Sequence, residues 1–325
     1  MTDILHTPRD ARDLAHTYVE RVRSQASSGT QASFGVSSLD NYLNGLKPGD
    51  LVVVLARPSN GKTQMLLHLA RTAAFHYKIV QDRNTFGPPI FVSFETDIES
   101  LYVRDVSYHT GIDSSLIYSG QVEDWDAVHD GVDMAYDKAP IFYMGHSSAA
   151  GRKRPRITLQ SVWDSVDYAV DKYQFRPSLL CFDYLQLMKL DRSTRDRRLD
   201  LAEIVSSLKD MALVYNTPVI LASQAGRDVD SKAIPAPDLS SGKETGAIEE
   251  TADVVLGLMR PARYFPIGEN VPGSSAELVV TEELFFTQVL KQRNGPVGKG
   301  FWLHFDMTVG RLSDIDLVTV DLNDY

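Results

Sequence analysis

The sequence predicts an α/β fold, a mainly parallel twisted sheet flanked by helices and followed by a C-terminal β-hairpin. Three observations predict it. Five short β-rich runs recur between stretches of helical character. The first of these runs leads straight into Gly61-Lys62-Thr63 and a further helical stretch. Two apolar runs near the end flank the polar segment Lys291–Gly300. Alternation of strand and helix requires right-handed crossovers onto a parallel sheet.

The composition sets the bounds. A chain of 325 residues with 43% apolar content can bury a large core, and 23% charged residues argue against wholesale disorder. The single cysteine, Cys181, lies in an apolar run and has no intrachain partner for a disulfide. No apolar stretch approaches the ~18 residues of a membrane span, and no basic-plus-apolar leader is present, so a soluble, cytoplasmic protein is expected. The formal net charge of −10 weighs against nucleic-acid binding without excluding it. Such binding depends on local Lys/Arg clusters, and an acidic exterior with a basic lining satisfies both.

In chain order, residues 8–25 predict a short amphipathic helix with Ala15, Tyr18, Val19 and Val22 on one face. A helix this short is marginal without a packing partner, so it is either a solvated arm or a helix docked on a neighbouring subunit. The polar stretch Ser24–Ser33 reads as a linker, giving an arm over 1–33 and one domain over 34–325. The expected strands are Leu51–Leu55, Ile90–Phe94, Leu179–Phe182, Val219–Ala222 and Val254–Leu256. Between two of them, Leu201, Ile204, Val205, Leu208, Met211 and Ala212 have helical spacing. Phe285–Leu290 and Phe301–Phe305 form the expected hairpin. Two loops stand out: the basic Ser147–Arg156, either solvated or a nucleic-acid contact, and the Pro/Gly-rich Pro261–Ser275, read as a surface loop.

The chemistry is concentrated after the first strand. Ala56-Arg57-Pro58-Ser59-Asn60-Gly61-Lys62-Thr63, continuing into Gln64, has the phosphate-loop pattern with alanine in place of the first glycine. Backbone N–H groups of such a loop and of the helix start cradle phosphates; Lys62 neutralises β/γ oxygens, Thr63 ligates Mg²⁺, and Gly61 keeps a Cβ out of the approach. Asp183 ends an apolar strand, the position that holds Mg²⁺ beside the loop. Glu95 follows another strand; parallel strands end on one side, so it either faces the γ-phosphate and orients water or opens the next helix.

These residues resemble the DnaB-like hexameric replicative helicase family, whose motors are RecA-like P-loop ATPases. The resemblance runs over roughly residues 34–313. It rests on Gly35–Asp40 and Gly45–Leu51, on Ala56-Arg57-Pro58-Ser59 before Gly61-Lys62-Thr63, and on Phe182–Met188. Ser223-Gln224, Lys243–Glu249 and the discriminating Lys291-Gln292-Arg293-Asn294-Gly295-Pro296 complete it. Asn60 stands where the family usually has methionine, at a position expected to act through its backbone. The resemblance implies that Glu95 is the catalytic glutamate and that Gln224 links the γ-phosphate to DNA-binding loops. It implies that Lys291 and Arg293 enter a neighbour's ATP site, and that Lys243, Glu244 and Gly246 form the channel loop on single-stranded DNA. A ring, most simply a hexamer, ATP and Mg²⁺, other replication proteins as partners and a bacterial cell belong to the same expectation; short motors of this sort occur in plasmid and phage replication systems, but nothing in the sequence fixes the source. Only about 33 residues precede the motor. The family's helical collar and primase contact are therefore not carried over, while residues 8–25 resemble its linker helix. The alternatives are a RecA/RadA-like recombination ATPase, disfavoured by the single cysteine, and a non-motor, ATP-gated accessory module.

Overall fold

The structure, a computed structural model, describes residues 7–28, 32–80, 86–149, 156–232, 234–242, 245–272 and 278–315. Its strands are β1 (Leu51–Ala56), β2 (Ile90–Ser93), β3 (Phe142–Met144), β4 (Leu180–Asp183), β5 (Val219–Gln224), β6 (Val254–Met259), β7 (Leu284–Gln292), β8 (Gly300–Asp306) and β9 (Arg311–Asp314). They form one sheet in the order β3-β2-β4-β5-β1-β6-β7-β8-β9. The first six are parallel and the last three antiparallel. The mainly parallel sheet is as the sequence predicts.

The helices are α1 (Pro8–Ser28), α2 (Ser37–Leu43), α3 (Lys62–Val80), α4 (Ile98–Thr110), α5 (Ser114–Ser119), α6 (Trp125–Lys138), α7 (Leu159–Tyr173), α8 (Arg197–Val214) and α9 (Thr245–Thr251). The central strand shows why the sequence folds in layers. Successive side chains of a strand face opposite sides, and β1 is buried on both. Val52, Val54 and Ala56 join a core with α2, α3 and the inner faces of β7 and β8. Leu51, Val53 and Leu55 join the other core, with α7 and α8. Helix starts are fixed by side-chain caps: Asp97 accepts from Ser100 N, Asp124 from Ala127 N and Asp196 from Arg198 N, while Thr158 and Ser161 form a capping box.

Several expectations need correcting. β3 and β9 are absent from the sequence reading. β3 is a three-residue, half-buried edge strand, and β9 carries a single apolar residue, Leu312. The expected hairpin is therefore three antiparallel strands, and Lys291 and Gln292 lie within β7 rather than in its turn. The helix expected over 8–25 runs to Ser28, so the first residues of the expected linker are helical; residues 29–31 lie outside the described residues. Ala15 and Val19 are exposed, and the side chains of Tyr18 and Val22 are outside the described set. Pro261–Ser275 is not simply a surface loop. Pro261 is buried, and Val271 packs in a small cluster with Leu278, Val280 and Leu284. Residues 273–275 of that loop, and 150–155 of the basic loop, are outside the described residues. No helix among the described residues is long and apolar enough to cross a membrane.

Candidate nucleotide site at the strand ends

The site is built where β1, β2, β4 and β5 end on the same edge of the sheet, the crevice in which open parallel sheets place ligands. Ala56 closes β1, and the loop Arg57–Gly61 hands the chain to α3. Two left-handed residues shape that turn, Ser59 at φ 61° and Gly61 at φ 83°. A Cβ on Gly61 would also meet the Met307 methyl at 2.7 Å, so the loop closes against the β8–β9 turn.

The Lys62 ammonium donates to the carbonyls of Ala56 and Arg57, 3.2 Å from each, and so lies across the mouth of the loop. Burial lowers its pKa to about 8, with Asp183 and Glu95 opposing the shift. The Thr63 hydroxyl donates to Asp183 at 2.7 Å. Asp183 is only 1% exposed, and burial raises its pKa. This hydroxyl–carboxylate pair fits a hard oxygen-ligated cation that keeps most of its waters. Glu95, two residues beyond β2, is exposed and lines the same cleft of about 610 Å³ as Lys62, Thr63, Asp183 and Gln224. Gln64 donates to Met307 O at 3.2 Å, and its buried carbonyl oxygen has no partner among the described residues. Gln224 ends β5, and its backbone N–H donates to Gln186 Oε1 at 3.0 Å.

Sequence reasoning gave Asn60 a backbone role, and the structure adds side-chain contacts that this reasoning missed. Its side chain is 2% exposed. It donates to Pro58 O and the Tyr264 hydroxyl, both at 3.1 Å, and accepts from Arg260 N at 2.8 Å. Arg57 reaches the segment after β5, where its guanidinium meets Asp230 in a two-point contact with a shortest distance of 2.6 Å. Arg104 and Arg260 line the cleft as well, outside every motif, as does Tyr184 of the Phe182–Met188 stretch, to which the sequence assigned no role.

Lys291 and Arg293 lie elsewhere. Leu258 on β6 is opposite Ala56, whereas Val255 is opposite Lys291. Three strand residues are about 10 Å, so Lys291 is at the far end of the sheet from its own phosphate loop. Its ammonium donates to the carbonyls of Glu249 and Ala252 at the end of α9, and Arg293 meets Asp253 at 3.4 Å while staying half-exposed. Gly246, on α9, is exposed; Lys243 and Glu244 lie outside the described residues.

The family model described as the DnaB-like helicase C-terminal domain matches residues 32–314. The chain belongs to that family. It is 31% identical over 273 residues to the replicative DNA helicase DnaB of Pasteurella multocida, a stretch covering 83% of this chain and 52% of the relative. With the DnaB of Buchnera aphidicola subsp. Schizaphis graminum it shares 29% identity over 304 residues, 90% of this chain and 59% of the relative. The chain thus spans between about half and three fifths of the length of these relatives. In fold it is similar to a solved structure described as an ATPase domain, with a TM-score of 0.74 and 22% identity over 93% of this chain and 99% of that one. A solved structure described as a DnaB-like replicative helicase and its interactions with primase gives a TM-score of 0.73 at 23% identity, covering 94% of this chain and 66% of that one. The RecA-like fold expected from the sequence is therefore the fold of this DnaB-family chain.

Proposed function

We propose that this chain is the ATP-hydrolysing motor of a DNA helicase that assembles as a ring, most simply a hexamer, and moves on single-stranded DNA to unwind duplex during replication. One observation carries the ring. The Lys291/Arg293 pair sits at the opposite end of the sheet from its own phosphate loop, with Arg293 half-exposed, which supports a role at a site on another copy.

In this reading Ala56–Gln64 wraps the phosphates of ATP, with Lys62 against the β/γ oxygens. Thr63 and Asp183 would hold Mg²⁺, which when bound neutralises phosphate charge. Glu95 orients the attacking water and accepts its proton as the water oxygen bonds to the γ-phosphorus. The bridging oxygen leaves with ADP. Charge developing on the transferred group is met by Lys62 and, from the neighbour, by Lys291 and Arg293; a fixed guanidinium suits that task. Gln224 senses the γ-phosphate position from the end of β5. Lys243, Glu244 and Gly246 grip the DNA backbone, with Lys243 and backbone N–H groups on phosphates and Glu244 buttressing the loop. The arm formed by α1, in which Leu14 and Val19 are more than half exposed, packs on an adjacent copy, while residues 34–325 form the motor. Such a motor works in the cytoplasm, where bacterial DNA replicates, alongside other replication proteins.

The test is ATP hydrolysis with and without single-stranded DNA, followed by unwinding of a forked duplex. DNA-stimulated hydrolysis and unwinding are expected, both abolished in Glu95→Gln while ATP still binds. Hydrolysis indifferent to DNA, or undiminished in Glu95→Gln, contradicts the proposal.

A further inference from the structure

Glu95 stands between two cavities. One is the nucleotide cleft; the other, of about 590 Å³, shares Glu95 and Tyr184 with it and lies on the β2–β3 side. Its other ionisable lining, apart from Tyr184, is basic: His146 after β3, Arg156 before α7, and Lys189 beyond the turn that follows β4. Leu187 and Phe94 give it an apolar floor. The segments carrying the cations are tied together. Arg156 donates to Leu190 O at 3.4 Å, and Leu159 N donates to Lys189 O at 2.8 Å. Arg156 and Lys189 are both exposed and form no ion pair among the described residues. Glu95 is the sole acid in the lining among the described residues.

A chain with net charge −10 thus gathers three basic side chains around one hollow beside its proposed catalytic carboxylate. Walls of one sign focus the potential inside a concavity and draw in the opposite charge. We propose that this cavity receives inorganic phosphate, the second product of hydrolysis, on its way out of the nucleotide cleft. The inference rests on the reading of Glu95 as the residue that orients the attacking water. If water attacks from the Glu95 side, the new phosphate is released on that side while ADP still fills the loop behind it. Once Glu95 has given up the proton it took from the water, its carboxylate repels the phosphate, while Arg156 and Lys189 attract it and His146 offers a further hydrogen-bond donor. The shared walls favour the small product over the phosphodiester of a nucleic acid, which needs no connection to the nucleotide cleft.

The test is a titration of inorganic phosphate into the full chain saturated with MgADP, followed by calorimetry. Wild type is expected to bind phosphate. Arg156→Ala and Lys189→Ala should each weaken it about tenfold, the scale of losing one charge-assisted contact, and Lys189→Arg should restore it. ADP affinity should stay within about twofold, since neither side chain touches the phosphate loop. Absence of phosphate binding in wild type, or equal binding in the alanine variants, overturns the proposal. So does weakened binding of a single-stranded oligonucleotide with phosphate affinity unchanged, which would make the hollow a nucleic-acid contact. Retained hydrolysis in Glu95→Gln would instead sink the catalytic reading. The phosphate titration does not depend on turnover, so the two failures are told apart.

Discussion

Asn60 shows how much of the phosphate loop is held from outside it. Its amide joins Pro58 O, the Tyr264 hydroxyl and Arg260 N, so the loop after β1 is pinned to the end of β6. Asn60→Ala leaves the Arg260 N–H without its acceptor, and an unsatisfied buried donor costs about 1–3 kcal/mol. A lower melting temperature and ATP binding weakened by about tenfold are expected; ATP affinity equal to wild type would contradict this role. At this scale the loop itself was legible in the sequence, because phosphate binding demands Gly61, Lys62 and Thr63 at fixed spacing between a strand and a helix. Tyr264 and Arg260, the distant partners of Asn60, were not, since they lie some two hundred residues away along the chain. The same holds for the Arg57–Asp230 contact, made across the gap between the ends of β1 and β5.

Helix α3 carries the site into the rest of the fold. Arg71 is 1% exposed and pairs with Asp105 on α4 at 2.7 Å; it also donates to Gly310 O at the β8–β9 turn and to Arg104 O. Tyr143 on β3 donates its hydroxyl to the same Asp105. Removing one partner strands the other charge, so Arg71→Ala should destabilise the fold by about 3–5 kcal/mol. Tyr143→Phe, which leaves the pair intact, should cost about 1 kcal/mol. Equal urea midpoints for Arg71→Ala and wild type would refute the assignment. One turn earlier, buried His68 has its ring nitrogen 3.0 Å from Phe34 O, and burial lowers its pKa to about 4. The unfolded chain then takes up a proton near the ordinary value of about 6.5, where the folded chain does not. Stability from this group is therefore complete above pH ~6.5 and falls as pH drops towards 4, by up to about 3 kcal/mol. Asp50, raised to about 6 by burial, works in the opposite direction over the same window. His68→Gln should flatten the acid limb of the stability curve, and an unchanged limb would show that His68 does not set it. Elements with two buried faces, such as β1, could be read from the sequence as unbroken apolar runs. β3 and β9 could not, because short edge strands carry neither a long apolar run nor clean alternation.

At the scale of the whole molecule, the sheet holds apart two sets of residues that the proposed chemistry combines. The phosphate loop, Glu95, Asp183 and Gln224 gather at one end of the parallel strands, while β7 runs antiparallel and delivers Lys291 and Arg293 to the other. A sequence shows that both sets exist but not that they are apart; the β6–β7 register shows that. Under the proposed function, a complete site then needs separate copies. The direct measurement is a mixing experiment with Lys62→Ala, which lacks the phosphate contact, and Arg293→Ala, which lacks the guanidinium. Each is expected to be inactive alone in DNA-stimulated hydrolysis. Co-assembled, the two should regain activity, because an intact loop on one copy meets an intact arginine on the next. A mixture that assembles, yet stays as inactive as its parents at every ratio, would contradict the shared site.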